Sequence, residues 1–252
     1  MNISVITVCF NSETTIADTL ISVDSQTDVD IEHIIIDGAS RDATLDVVGN
    51  YRKPWRHVLS EGDKGIYDAM NKGLHLARGD VIGFINSDDF YASSDVLATV
   101  AAAFAEPAVD ACYGDLCYVK RGELASVVRY WRSSVFSPGL FLRGWCPPHP
   151  TFFVRKAVFE RFGSFDLSYR SGVDVELMMR FLEVHRIHVK YIPQVLVMMR
   201  MGGTSNSSWK NILLQNFEIL RAQKNHGLQP SLLIFFLGKA VSRCKQFLTR
   251  PS

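Results

Sequence analysis

Short apolar runs alternate with amphipathic segments along the first 120 residues of the chain. ISVITVCF (residues 3–10), IEHIIIDG (31–38) and VIGFI (81–85) are apolar almost throughout, which is typical of strands buried on both faces. The segments between them repeat apolar residues every three to four positions and predict helices, most clearly over residues 65–77. Buried strands separated by helices indicate an α/β fold with a Rossmann-like, mostly parallel sheet flanked by helices.

Further elements complete this pattern. Residues 56–62 form a weaker third strand and residues 111–119 another strand. Helices are predicted over residues 12–26, 40–52 and 93–106, and Ser12 is the expected N-cap of the first of these. Ligands of such sheets bind outside the carboxyl ends of the strands.

Polar and acidic residues follow each of the first four strands. They are Asn11, Asp37, Glu61, Asp63, Asp88 and Asp89. Because parallel strands end at the same edge of a sheet, we expect these side chains to line one acidic cleft. Adjacent carboxylates repel each other unless a cation or a donor-rich ligand lies between them, so the pair Asp88 and Asp89 favours a ligand site over simple turn formation.

The chain from residue 121 onward has a different pattern. Over residues 129–156, aromatic, Pro and Gly residues without sustained periodicity predict loops, with one strand at TFFVR (151–155). A short helix follows at 156–163 and another at 173–184, whose Met178 and Met179 are expected in the core. Asp174 lies in the first turn of this second helix, where a carboxylate also favours the helix dipole.

Seven stretches of the chain carry a similarity to a known family. In chain order they are VITVCFNSETTI, HIIIDGASRDAT, SEGDKGIYDAMNKGLHLARGD, FINSDD, HPTFFVRK, SGVDVELMMRF and VLVMMRMGGTSN. Together they resemble the family 2 glycosyltransferases of the GT-A fold, over about residues 3–206. The resemblance implies transfer of a sugar from a nucleotide-diphosphate donor to an acceptor hydroxyl, with inversion at the anomeric carbon and with help from a divalent cation.

The same resemblance implies a donor site and a metal site. It places Asp37 at the base and ribose of the donor, together with Thr7, Asn11, Glu13, Asp63, Lys64, Ser87 and Asp88. The family's metal motif, two carboxylates separated by one residue, aligns with Asn86 and Asp88. Asn86 offers an uncharged amide oxygen and is the weaker ligand, so Asp88 is expected to carry Mg²⁺ or Mn²⁺ with Asp89 in support. A departing diphosphate needs such a hard cation with oxygen ligands.

The acceptor side is also implied by the resemblance. Asp174 matches the family's acidic base, although Val173 stands where another acid is common, and a helix-capping role for Asp174 is the alternative. His149, Arg200, Gly202 and Gly203 match the acceptor and lid segments. We therefore expect a GT-A domain over residues 1–206, with 1–120 binding the nucleotide sugar and 121–206 the acceptor, and a helical extension over 207–252.

Other functional classes fit the residues less well. CFNSET lacks the Gly-rich turn of a dinucleotide-binding dehydrogenase, and no P-loop motif occurs. A nucleotidyltransferase is disfavoured because the loop after the first strand has no Gly-rich, basic character. A non-catalytic nucleotide-sugar or glycan-binding module of the same fold stays open, because Asn86 weakens the metal motif.

Composition narrows the partners and the compartment. With 252 residues, 47% of them hydrophobic, the chain can bury the core of one large domain. A formal net charge of +1 gives no reason to expect a nucleic acid partner. Five cysteines without paired spacing predict free thiols in a cytoplasmic protein. The expected acceptor is a glycan or a lipid-linked glycan of surface polysaccharide or glycolipid assembly.

The tail from residue 207 combines positive charge with an apolar segment. It carries seven basic residues and one acid, a formal charge of +6, and includes the run LLIFFLG (232–238). One interpretation is an amphipathic element on the anionic inner face of the membrane, where a lipid-linked acceptor would be presented. The other is a helix that packs on the domain and keeps a solvated basic face.

Overall fold

Four parallel strands form the part of the sheet that carries the predicted site. The computed structural model describes residues 1–202 and 209–248. The four strands are β1 (Asn2–Cys9), β2 (Asp30–Asp37), β3 (Arg56–Ser60) and β4 (Val81–Asn86). They lie in the order β3–β2–β1–β4, and every neighbouring pair is parallel. Near-continuous apolar sequences form these strands because both of their faces are covered.

The sheet continues beyond β4 with strands from the rest of the chain. They are β5 (Asp89–Tyr91), β6 (Ala111–Lys120), β7 (Glu123–Trp131), β8 (Phe153–Arg155) and β9 (Val189–Arg200). Strand β8 joins β4 to β6 by antiparallel pairing, and β6 pairs in parallel with β9. Strand β5 is antiparallel to β9, and β7 is antiparallel to β6. Strands from both predicted parts of the 1–206 region therefore share one sheet.

Helices cover both faces of this sheet. They are α1 (Ile16–Asp24), α2 (Thr44–Asn50), α3 (Ile66–Leu76), α4 (Val96–Ala103), α5 (Lys156–Phe162), α6 (Val173–Met179), α7 (Trp209–Asn225) and α8 (Leu232–Leu248). Alternate strand residues enter separate cores, so that Ile6 packs in the core that contains α3 and α6 and its neighbour Val5 packs in the core that contains α4. The predicted α/β class is confirmed. Met178 and Met179 are buried, and the five cysteines are free, as expected.

One expectation about local structure was wrong, and two strands were not predicted. Ser12 does not cap α1: the helix begins at Ile16, and the backbone carbonyl of Ser12 accepts the N–H groups of Thr15 and Ile16 at 3.0 Å each. The one strand expected among the loops of residues 129–156 is β8, whereas β7 and β9 were not predicted. Strand β7 returns along β6 through a turn at Gly122, and β9 is mostly half-exposed, so neither shows the uniform apolar pattern of β1 or β2.

Helices α7 and α8 pack on the part of the domain formed after residue 121, as one of the two interpretations of the tail proposed. A Cβ at Gly238 of α8 would overlap the carbonyl oxygen of Arg143, so the helix lies directly against that backbone. His226, just after α7, approaches Oε1 of the buried Glu176 of α6 through its Nε2 at 2.7 Å. Within the described residues, no helix is both long enough and apolar enough to cross a bilayer.

Candidate active site

The carboxyl ends of β1 to β4 lie side by side. Cys9 is paired with Asp37, Asp37 with Ser60, and Val8 with Asn86. The segments that follow these strands therefore begin at one edge of the sheet, as the sequence predicted. This edge carries every acidic residue predicted to follow the first four strands.

Asp37 ends β2 and is fully buried. Its carboxylate accepts hydrogen bonds from the Ser40 N–H at 3.0 Å and from the Ser60 hydroxyl at 2.6 Å, and the Ser40 hydroxyl also donates to it. These bonds fix the loop after β2 to the end of β3. The implied contact of Asp37 with the donor stays a prediction.

Asn11 and Glu13 join the segment after β1 to the loop after β2. Asn11 Oδ1 accepts the Arg41 N–H at 2.9 Å, and Glu13 Oε2 accepts the Ala43 N–H at 2.8 Å. Asn11 has a φ of 49°, a left-handed conformation that Asn adopts more readily than most residues. Both side chains are exposed at the sheet edge, and their donor-binding roles stay predictions.

Asp63 and Lys64 lie on the loop after β3. Asp63 Oδ1 accepts the Gly65 N–H at 2.8 Å, whereas Lys64 is exposed. A Cβ at Gly38 would overlap the Asp63 carboxylate, so the glycine allows the loops after β2 and β3 to approach each other. The structure thus brings Asp63 next to the end of β2 that carries Asp37.

Thr7 lies inside β1, and its implied contact with the donor stays a prediction. Its side chain is fully buried, and its hydroxyl lies 2.9 Å from Nε2 of His33. His33 Nδ1 accepts a hydrogen bond from Arg56 Nε at 3.1 Å, and Arg56 pairs with Asp24. Burial holds the pKa of His33 well below its usual range, so the neutral ring carries its proton on Nε2 and donates to Thr7.

The pair of adjacent carboxylates after β4 occupies two different environments. Asp89 is fully buried, and Asn86 Nδ2 donates to its Oδ2 at 3.0 Å. Burial, and then the charge of Asp88, raises the pKa of Asp89 well above its usual range, which favours its neutral form. Ser87 is buried, with its hydroxyl 2.8 Å from that of Ser12. Asp88 is half-buried, so it is the carboxylate that can meet a ligand.

Arg200 is buried and holds the segment that carries Asp88, and its implied place in the lid segment stays a prediction. It is 6% exposed, its Nη1 donates to the backbone carbonyl of Asp88 at 2.6 Å, and its Nη2 pairs with Asp18 of α1. Burial raises the pKa of Asp88, and the positive charges of Arg200 and Arg121 oppose that shift. Arg200 therefore positions Asp88 through the backbone.

The glycine pair of the predicted lid is only partly described. Gly202 is exposed with a φ of 105°, and a Cβ placed on it would meet open space. A positive φ of this size favours glycine over residues with a side chain. Gly203 lies outside the described residues. The lid role of both glycines stays a prediction.

The oxygen atoms around Asp88 fit a divalent cation. Asn86 Oδ1 and Asp89 Oδ1 are buried and accept no hydrogen bond from any residue in 1–202 or 209–248. Such oxygens cost free energy unless a cation or a proton supplies the missing positive partner. The described residues contain no cluster of three His, Cys, Asp or Glu side chains that could hold a metal by themselves. A Mg²⁺ or Mn²⁺ ion here would therefore take further ligands from substrate phosphates and water.

Asp174 reaches the same edge of the sheet from the second half of the chain. Its Oδ1 accepts a hydrogen bond from the Tyr67 hydroxyl at 3.0 Å, and Tyr67 lies in the first turn of α3, directly after the loop that follows β3. The N-cap of α6 is Gly172, and no side chain caps this helix, so Asp174 does not act as a cap. Burial, and then Asp174, raises the pKa of Tyr67 well above its usual range, so Tyr67 remains a donor.

His149 packs on β4 and lies within electrostatic range of Asp174. Its ring stacks on Phe84 of β4 with centroids 5.5 Å apart, and burial lowers its pKa against the opposing charge of Asp174. The α8 residue Lys239 also feels the charge of Asp174; burial lowers its pKa, and its Nζ donates to Asn216 Oδ1 at 2.6 Å. Sequence reasoning singled out neither Tyr67 nor Lys239. Tyr67 lies inside the quoted GIYDAMNK stretch, but no sequence signal marks Lys239.

Comparison with known proteins identifies the family. The sequence profile of glycosyl transferase family 2 matches residues 4–161. The chain belongs to this family. The family 2 glycosyltransferase is 31% identical over 191 residues to the PGL/p-HBAD biosynthesis glycosyltransferase of Mycobacterium bovis (strain BCG / Pasteur 1173P2), a match that covers 74% of this chain and 72% of the relative. It is also 37% identical over 90 residues to the putative glycosyltransferase EpsH of Bacillus subtilis (strain 168), covering 35% and 26% of the two chains.

Solved structures show that this glycosyltransferase has the GT-A fold. Staphylococcus aureus TarS 1-349 in complex with UDP-GlcNAc aligns with a TM-score of 0.69 at 20% identity, over 96% of this chain and 69% of that chain. The mannosyltransferase PcManGT of Pyrobaculum calidifontis, in complex with GDP-Man and Mn²⁺, aligns with a TM-score of 0.66 at 18% identity, over 98% and 69%. Since both identities are low, the likeness concerns the fold.

Proposed function

We propose that this family 2 glycosyltransferase moves a sugar from a nucleotide-diphosphate donor to an acceptor hydroxyl with inversion, and that Asp174 is the catalytic base. The position of Asp174 carries the proposal. Tyr67 donates a hydrogen bond to Oδ1, and Oδ2 is the oxygen proposed to meet the acceptor. A half-buried carboxylate with one oxygen held in place is suited to accept a proton from an acceptor hydroxyl through the other.

The donor is proposed to bind along the ends of β1 to β4. The base and ribose would lie near Asp37, Asn11 and Glu13, and the diphosphate would extend toward Lys64 and Ser87. Related folds bind UDP, UDP-GlcNAc or GDP-Man, which supports a nucleotide sugar without choosing among them. Asp63 would complete this part of the cleft, because it lies on the loop after β3 and packs against Gly38 of the loop after β2.

A single displacement accounts for inversion. The acceptor oxygen forms a bond to the anomeric carbon while the bond from that carbon to the diphosphate breaks, and the acceptor proton passes to Asp174 Oδ2. Tyr67 keeps the carboxylate oriented, and His149, which burial favours in its neutral form, lies within electrostatic range of it. A divalent cation held by Asp88 and Asn86, with Asp89 in support, would neutralise charge on the departing diphosphate.

The acceptor is proposed to be a lipid-linked glycan in surface polysaccharide or glycolipid assembly. A relative at 31% identity acts, by its name, in PGL/p-HBAD biosynthesis, and this name supports the proposal. An acceptor with a lipid anchor would be met at the cytoplasmic face of the membrane by a peripheral enzyme. The proposal assigns no particular sugar, nucleotide or linkage.

The test combines a donor panel with one variant. Nucleotide diphosphate release is measured with UDP-, GDP- and other nucleotide sugars in Mg²⁺ or Mn²⁺, and transfer to a competent acceptor is then compared for wild type, Asp174→Asn and the exposed control Asp166→Asn. Asp174→Asn should lower the transfer rate by a factor of about 10² to 10⁴. Donor affinity, measured by calorimetry, should change less than about twofold, because the base lies on the acceptor side.

Three outcomes count against the proposal. Transfer by Asp174→Asn at the wild-type rate would remove its role as the base, and loss of donor binding would place it on the donor side. Binding of a nucleotide sugar without turnover of any donor would favour the alternative, a non-catalytic nucleotide-sugar or glycan-binding module.

A further inference from the structure

The exposed hydrophobic side chains of the protein are concentrated on its last two helices. Of the 22 large hydrophobic residues that are exposed in the described part of the chain, 11 lie on α7 and α8. The eight on α8 include Leu233 and Leu248, which are 77% and 83% exposed, and α7 adds Phe217 at 62%. Single exposed apolar residues are common, but a cluster of this size marks an interaction surface.

Opposite sides of α8 have different roles. Phe235, Lys239 and Gln246 face the domain: Phe235 is fully buried, and Gln246 Oε1 accepts a hydrogen bond from Arg129 Nε at 2.6 Å. At about 100° per residue, the side chains opposite them form one apolar stripe. Its members are Leu233, Leu237, Ala240, Val241, Cys244 and Leu248, and every one of them is exposed. We call this stripe the outer face, and α7, which contacts α8 through Asn216 and Lys239, carries the further exposed residues Leu213, Leu214 and Phe217.

Exposed basic residues lie next to the apolar residues of both helices. Arg243 and Lys245 flank the apolar stripe on its two sides, because they lie about 100° from Cys244 in opposite directions. On α7, Arg221 and Lys224 are exposed on the same side of the helix as Phe217. Residues 209–248 contain six basic residues and one acid, Glu218. An apolar stripe between basic margins is the pattern of a helix that lies in the interface of an anionic bilayer.

We propose that the outer face binds the surface of an anionic phospholipid bilayer. A second copy of this chain is a poorer occupant, because a symmetric contact would bring two sets of basic residues together with a single acid on each copy. A bilayer accepts both features, since the acyl region takes the leucines and anionic headgroups attract the basic margins.

This binding would place the candidate base close to the membrane. Helix α7 packs through Ile219 against Gly172, the residue that precedes α6, and Lys239 of α8 lies within electrostatic range of Asp174. The same helices therefore carry the outer face and adjoin the acceptor side. The value of this arrangement for a lipid-linked acceptor rests on the proposed function, whereas the membrane contact itself does not.

The experiment measures sedimentation of the full chain with vesicles. Vesicles of phosphatidylcholine alone are compared with vesicles that contain 30% phosphatidylglycerol at about 0.1 and 0.5 M NaCl. The double variant Leu233→Glu/Leu237→Glu removes the centre of the stripe, and Ile21→Glu, an exposed apolar residue of α1 at 49%, is the matched control. Arg243→Gln/Lys245→Gln tests the basic margins.

The wild type and Ile21→Glu should bind the anionic vesicles and lose affinity at high salt. The leucine variant should bind at least about 100-fold more weakly, because two leucines no longer enter the acyl region, and the basic variant about tenfold more weakly. Absent binding by wild type, or equal binding by the leucine variant, would overturn the proposal. So would a concentration-dependent dimer that the leucine variant abolishes, since the outer face would then bind a second copy. Donor affinity of each variant is measured in parallel and reports on the proposed function independently.

Discussion

The Tyr67 hydroxyl donates a hydrogen bond to Oδ1 of Asp174 across 107 positions of sequence. Tyr67 lies on α3, the helix that follows β3. Asp174 lies in the first turn of α6, next to the point where α7 packs. This contact brings the candidate base to the edge of the sheet that carries Asp88. It also leaves Oδ2 of Asp174 as the oxygen that can take a proton.

Removing this hydroxyl should impair transfer without affecting donor binding. In Tyr67→Phe, the carboxylate loses a charge-assisted hydrogen bond that orients it, and we expect the transfer rate to fall roughly 10- to 100-fold. Donor affinity by calorimetry should stay within about twofold. Tyr51→Phe, a partly buried tyrosine of the α2 end, is the control. An equal loss of donor affinity in Tyr67→Phe would show that Tyr67 acts on the donor.

Asp88 should make donor binding depend on a divalent cation. Wild type should bind nucleotide diphosphate more tightly in Mn²⁺ or Mg²⁺ than in excess chelator, because a cation held by Asp88 would neutralise charge on the phosphates. Asp88→Ala should lose that difference, with donor affinity in Mn²⁺ lower by roughly tenfold or more, and Asp46→Ala, on the exposed face of α2, should keep it. Calorimetric titrations in the two media make the comparison. Identical wild-type affinity with and without chelator would refute the cation role.

Glu176 should give the fold a pH-dependent contribution. Burial would raise the pKa of this side chain, but hydrogen bonds from His226 and Arg180 outweigh burial and lower it. A lowered folded-state pKa stabilises the fold above the ordinary value of 4.5, and this stability is lost as pH falls through the folded-state value. Glu176→Gln should therefore cost about 3 kcal/mol near neutral pH.

Chemical denaturation at pH 7 and near pH 3.5 tests this expectation. The gap between wild type and Glu176→Gln should narrow at the lower pH, because the unfolded-state carboxylate takes up protons below its ordinary value of 4.5. Glu160→Gln removes an exposed partner of Lys156, 3.9 Å away, and should change stability by less than about 0.5 kcal/mol. A gap for Glu176→Gln that is the same at both pH values would contradict the linkage.

Two helical glycines should respond to alanine in opposite directions. Gly49 of α2 has open space around its Cβ position, so Gly49→Ala should stabilise the protein by up to about 1 kcal/mol through helix propensity. Gly238→Ala in α8 should destabilise the protein by roughly 2 kcal/mol. The added methyl would overlap the Arg143 carbonyl and push α8 away from this backbone. Thermal unfolding separates the two signs. Stabilisation by Gly238→Ala would mean that α8 does not lie against this backbone.

Local sequence pattern was sufficient to predict much of the fold and the edge of the sheet at which the candidate site lies. Strands β1, β2 and β4 bury both faces, and helix α3 has an apolar repeat. Each of these elements can therefore be predicted from a stretch of about a dozen residues. Strands β7 and β9 could not be predicted from local sequence, because they are only partly buried and depend on pairing with β6 for their conformation.

The sequence by itself determined that polar and acidic residues follow the first four strands and lie at one edge of the sheet. Parallel strands place their carboxyl ends at the same edge, whatever loops connect them. Tertiary structure decided what each of those residues does. It buried Asp89, where loss of solvent favours the neutral acid; it joined Thr7 to His33; and it made Arg200 a clamp on Asp88. It also brought Tyr67 and Lys239 near Asp174. These outcomes depend on contacts between residues far apart in the chain, and no local period encodes such contacts.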